Sequence, residues 1–82
     1  MDTTRYFDEQ VLRKRHYLSV ALCESVVRHA LHSEAQDDGR VRYWGRVTLP
    51  GEAKARILRV VTLDDGTLHN AFIDRDFRED QI

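Results

Sequence analysis

Three short polar stretches in the second half of the chain, Asp37-Asp38-Gly39, Pro50-Gly51 and Asp64-Asp65-Gly66, constrain the fold more than any other feature. Each pairs a residue that bends its own backbone, through a carboxylate or a fixed φ, with a glycine that tolerates positive φ. Such stretches reverse the chain, so the segments between them are expected to be strands of an antiparallel meander. The pattern predicts four: a short one at residues 34–36, a second around Val41 to Val47, a third at 56–63 and a fourth at 67–73. Asp65-Gly66 is a strong two-residue hairpin signal between the last two.

The second strand alternates. Val41, Tyr43 and Val47 fall on one face, while Arg40, Arg42, Trp44 and Arg46 fall on the other, because successive side chains of a strand point to opposite sides. The third reads Ile-Leu-Arg-Val-Val-Thr-Leu, nearly continuous in apolar residues, which suits a central strand covered on both faces.

The first half follows a helical period. Phe7, Val11 and Leu12 recur at helical spacing within residues 6–15, with Asp8 and Glu9 early and Arg13, Lys14 and Arg15 late, the order a helix dipole favours. Ser19 is an expected N-cap for a second helix carrying Leu22, Val26, Ala30 and Leu31 on one face and ending near His32. His16 and Tyr17 fall in the connection. The expected architecture is α+β: two N-terminal helices packed on a four-stranded, mainly antiparallel sheet, with residues 75–82 as a tail or short extra turn.

At 82 residues the chain supports one core, so residues 1–82 are read as a single domain. Its 13 basic and 14 acidic side chains nearly cancel, which leaves any attraction to nucleic acid to a local patch. One cysteine, Cys23, excludes an internal disulfide and a cysteine-based zinc cluster, and it is expected to pack inside the second helix. No signal peptide or apolar membrane span is legible, so a cytoplasmic protein with no membrane partner is expected. The pair His29 and His32, three apart, would share a helix edge, but no carboxylate or cysteine stands at a matching spacing, and neither a metal nor another cofactor is expected.

Three features carry chemistry. The stripe Arg40, Arg42, Trp44 and Arg46 places three guanidinium groups beside an indole, which suits phosphate oxygens and an unpaired base; it equally suits a solvated face whose arginines pair with nearby carboxylates. Arg59 interrupts the apolar third strand, where a charge is costly unless it opens into a cleft or pairs, for example with Asp74 or Glu34. His69, followed by Asn70, is a proton-transfer candidate near neutral pH or simply an edge residue.

The run Arg15-His16-Tyr17-Leu18-Ser19, the helix after it, the stretch Asp38-Gly39-Arg40-Val41-Arg42-Tyr43-Trp44-Gly45 and the strand Leu58-Arg59-Val60-Val61-Thr62-Leu63 resemble the small bacterial proteins of unknown function that are similar to BrnT and RelE toxins. The resemblance spans most of the chain and implies a RelE-like fold. It further implies a toxin of a toxin and antitoxin pair that cuts RNA without metal, often on the ribosome. Arg15, Arg42, Tyr43 and Arg59 stand where the family tends to hold functional residues.

Two classes of function follow. In the first, the chain is a metal-independent ribonuclease in which Arg42 and Arg59 stabilise the phosphate, His69 or Tyr43 transfers the proton, and Arg40, Trp44, Arg46 and Arg15 hold RNA, with a cognate antitoxin as partner. In the second, the scaffold is a non-catalytic module that binds a protein or RNA through the sheet face or an edge strand. A DNA-binding regulator using the short basic cluster Arg13 to His16 is a third, less developed reading.

Overall fold

In the computed structural model, which describes residues 1–81, the chain is α+β, with a four-stranded antiparallel sheet in the order β1-β2-β3-β4. The strands are β1 (His32–Ala35), β2 (Val41–Val47), β3 (Arg56–Thr62) and β4 (Leu68–Ile73). The meander follows from the turns. Gly39, Gly51 and Gly66 all have φ between +79° and +89°, a region closed to most other residues. Asp38 and Asp65 also accept backbone N–H groups two residues on, at 3.0 and 2.9 Å.

Of the two expected helices, the second is regular. Helix α1 (Val20–Arg28) starts at Ser19, whose extended backbone (φ −140°) lets Oγ accept the Leu22 N–H at 3.1 Å. It stops at Arg28, four residues short of the expected end, and His32 opens β1 instead. His29 and His32 therefore lie on different elements and share no helix edge. The first helical stretch is a π-helix at Phe7–Leu12, flanked by short α-helical ends.

The register decides which face each side chain takes. Tyr43 pairs with Val60, and Gly45 with Leu58; this face meets the helices. There Phe7, Val11, Cys23, Leu58, Val60, Leu68 and Ala71 are fully buried, each large apolar group contributing about 1.5–3 kcal/mol on leaving water. The π-helix packs on β4, and α1 on β2 and β3.

On the opposite face, Trp44 pairs with Arg59 and Arg42 with Val61, while Arg59 pairs with Phe72 and Val61 with Asn70. The π-helix and α1 both pack on the other side of the sheet. A bulge between Val61 and Thr62 sets Asn70 and then Leu68 opposite consecutive residues of β3, leaving His69 as the extra residue of β4. The N-terminal chain runs beside β4, where Thr3 bridges Leu68 in parallel, the Asp2 carbonyl accepts the Leu68 N–H at 2.8 Å and the Thr4 N–H bonds the Leu68 carbonyl at 2.9 Å. Among the described residues no helix is long and apolar enough to cross a membrane.

Candidate anion-binding site on the open sheet face

The open face holds a recess of about 300 Å³ lined by Arg40, Arg42, Arg59 and His69, with Tyr6, Gln36, Val61 and Asn70 completing its walls. Alternation on β2 places Arg42 there, register places Arg59 across from Trp44, and the β4 bulge turns His69 toward them. Four residues singled out in the sequence thus share one solvent-reachable wall.

Arg42 and Arg59 make the recess electropositive. Among the described residues neither forms an ion pair; the Gln36 amide, oriented with its oxygen toward the guanidinium, accepts from Arg42 Nη2 at 2.7 Å. The Arg59 guanidinium carbon lies 4.7 Å from the Phe72 ring centre and 5.9 Å from that of Trp44, within cation–π range of both. Its Nε is buried without a hydrogen-bond partner. Burial first, and then the neighbouring Arg42 charge, lower its pKa, against an opposing pull from Asp74 and Glu34. The expected salt bridge to either carboxylate is absent from the described ion pairs. Two neighbouring cations on one wall, with no carboxylate paired to either among the described residues, make a place where an anion is welcome.

His69 stands at the other side of the recess. Its Nδ1 lies 3.1 Å from Thr4 Oγ1, which also accepts the Phe7 N–H at 3.0 Å, and the Tyr6 ring sits 5.1 Å from the imidazole. If Nδ1–H donates to Thr4, Nε2 keeps its lone pair and faces outward as a base; with the opposite tautomer Nε2 becomes a donor. Desolvation and then Arg40 hold the imidazole below its ordinary pKa of 6.5, which favours its neutral form. Arg40 itself is exposed and only loosely held, with Nε 3.7 Å from Asp38.

Four other candidate residues lie outside the recess. Tyr43 lies on the helix-facing side, packed against the core, so the sheet separates its hydroxyl from Arg42 and Arg59. Trp44 is on the open face but only 6% exposed: the Phe77 ring stacks on it at 5.3 Å and 18°, and its Nε1–H donates to Asp74 at 2.9 Å. It is not the open stacking platform the alternation suggests. Arg46 is engaged by Glu79, through Nε to Oε1 at 3.2 Å and a second bond from Nη2. Arg15 follows the N-terminal helix, where its N–H bonds the Val11 carbonyl and its carbonyl accepts from Leu18, and it does not line the recess.

Tyr6 and Gln36 complete the recess without a sequence signal that points to it. Tyr6 reaches His69 because the N-terminal chain is stitched to Leu68, a contact between residues more than sixty positions apart that leaves no local signal. Gln36 was read as the end of a strand, and its place opposite the start of β2 follows from the turn at Gly39. Among the described residues no group of three or more His, Cys, Asp or Glu side chains is placed to hold a metal ion.

Comparison of the chain with protein-family models, with curated proteins and with solved structures finds no match in any of the three.

Proposed function

We propose that the open sheet face binds the phosphodiester backbone of single-stranded RNA and that the chain acts there as a toxin-like, metal-independent ribonuclease. The observation that carries this reading is the pairing of Arg42 and Arg59 in one recess with His69, free of carboxylate partners among the described residues. A non-bridging phosphate oxygen between the two guanidinium groups would receive charge-assisted hydrogen bonds, and those bonds strengthen as charge builds at phosphorus.

His69 is suited to take the proton from a ribose 2′-hydroxyl. The freed oxygen attacks the adjacent phosphorus, the bond to the 5′-oxygen breaks, and the products are a 2′,3′-cyclic phosphate and a 5′-hydroxyl. The proton that the leaving oxygen needs comes from the Tyr6 hydroxyl or from water. Tyr6 takes over the role that the family resemblance had given to Tyr43. The RelE-like assignment, the ribosome as the place of action and a cognate antitoxin as partner belong to this same proposal.

A second reading, a non-catalytic module that binds RNA or protein, is favoured by the single imidazole in the recess and by the chain's formal charge of −1. One experiment separates the two. Labelled single-stranded RNA is titrated with the wild type, with an Arg42→Ala, Arg59→Ala double variant and with His69→Ala, with and without ribosomes and in the presence of a chelator. The ribonuclease reading expects cyclic-phosphate ends from the wild type, at least tenfold weaker binding in the double variant and a salt slope shallower by about 0.7 for one lost phosphate contact. It also expects binding without cleavage in His69→Ala. Binding without cleavage in the wild type under every condition leaves the module, and no RNA binding at all removes both RNA readings.

A further inference from the structure

Residues 74–79 leave β4 and fold back over β2 on the open face. The Asp74 N–H bonds the Ile57 carbonyl at 2.9 Å, and its carboxylate accepts the Trp44 indole N–H. Phe77 then stacks on Trp44, with His32 6.2 Å away on the same side, and Glu79 engages the Arg46 guanidinium. Each contact has the chemistry that a strand of RNA would use on the same residue: an aromatic plane on the indole in place of a base, and a carboxylate on the guanidinium in place of a phosphate. The spacing matches too, since Phe77 and Glu79 are two residues apart, as are Trp44 and Arg46.

We propose that Trp44 and Arg46 form a second nucleotide subsite, continuous with the Arg42 and Arg59 recess, and that residues 74–79 are a strap that fills it in the free protein and is displaced by RNA. This rests on the function proposed above. The strap is built to lift. Arg75, Asp76, Arg78 and Glu79 are exposed, Phe77 is half-buried, and the Glu79 to Arg46 pair is open to solvent, so release gives up chiefly the cover of Phe77 and Asp74 on Trp44, which a stacked base replaces. It is also acidic. Asp74, Asp76 and Glu79 outnumber Arg75 and Arg78, so the segment carries a net negative charge toward a basic face.

The test uses the full chain and a labelled single-stranded oligonucleotide several nucleotides long. Trp44 is the only tryptophan, so its emission reports directly on what lies against it. In the wild type, RNA is expected to change Trp44 emission with the same midpoint as binding. A Phe77→Ala, Glu79→Gln variant is expected to bind about fivefold tighter or more. Glu79→Gln alone, which removes only an exposed carboxylate and leaves folding intact, is expected to bind about twofold tighter with a steeper salt dependence.

Unchanged or weaker binding by both variants, or a Trp44 signal that ignores bound RNA, overturns the strap while leaving the recess intact. Failure of every form to bind RNA overturns the functional reading, and the strap with it. Binding by the variants where the wild type shows none supports the strap outright.

Discussion

At Arg59, stability and the proposed anion binding make opposite demands on one side chain. The Nε without a partner costs about 1–3 kcal/mol, and repulsion from Arg42 adds to it, whereas stacking on Phe72 and Trp44 returns only about 0.5–1 kcal/mol per contact. Methionine keeps the packing and a sulfur contact with the rings without the charge. Arg59→Met is therefore expected to stabilise the fold by about 1 kcal/mol, raising Tm by roughly 4–8 °C in a domain this small, while weakening RNA binding. Thermal melting beside an RNA titration checks both, and a lower Tm would show that the guanidinium serves the fold. His69 supplies the second prediction at this scale. Its pKa in the folded state lies below 6.5, so the base form is favoured and is lost as pH falls through that depressed value. Cleavage is expected to be flat near pH 7 and to decline on the acid side, with an inflection below 6.5. The unfolded chain takes up this proton first, so the contribution to stability is whole above 6.5 and is lost over the same acid range. An imidazole titration followed by NMR checks the position, and an inflection above 6.5 would remove desolvation as its cause.

Among the elements, α1 and β2 meet closely at Gly45. A Cβ built on Gly45 would lie 3.0 Å from a Val26 methyl and 3.3 Å from its Cβ. Val26 is β-branched and stiff at χ1, so it cannot swing aside, and α1 would have to lift from the sheet. Gly45→Ala is expected to cost about 1–3 kcal/mol of stability, measured by urea unfolding with an unchanged m-value. The elements also show what could be read in advance. The meander was legible because each reversal needs a glycine at positive φ, and the basic face of β2 because alternation is strict. Alternation had even placed Tyr43 with Val41 and Val47, on the face away from the arginines; its catalytic role came from the resemblance and conflicted with that pattern. The meeting of Arg59 with Arg42, and of His69 with both, depended on a register that includes a bulge, which no local pattern encodes. The cover over Trp44 was hidden for a related reason, since residues 74–79 have no period of their own and gain their place only by contact with a strand thirty residues earlier.

On the scale of the whole molecule, the two faces of the sheet divide the work. The helix-covered face carries the core, and Cys23 sits at its centre, fully buried, with burial pushing its thiol up to about 12. At pH 8 the thiol is expected to resist alkylation in the folded protein and to react fully in denaturant; fast modification under native conditions would mean that α1 opens far more often than its packing implies. The other face carries the arginines, the imidazole and the strap, and it can change without disturbing the core. The edges of the sheet differ as much as its faces do. At β4 the stitched N-terminal chain and the bulge blunt the rim, whereas the far side of β1 meets no other strand among the described residues. Growth of the sheet from one chain into the next is thereby less hindered at β1 than at the Leu68 end of β4. Two copies that join through β1 would do so about a two-fold axis, each closing the rim of the other.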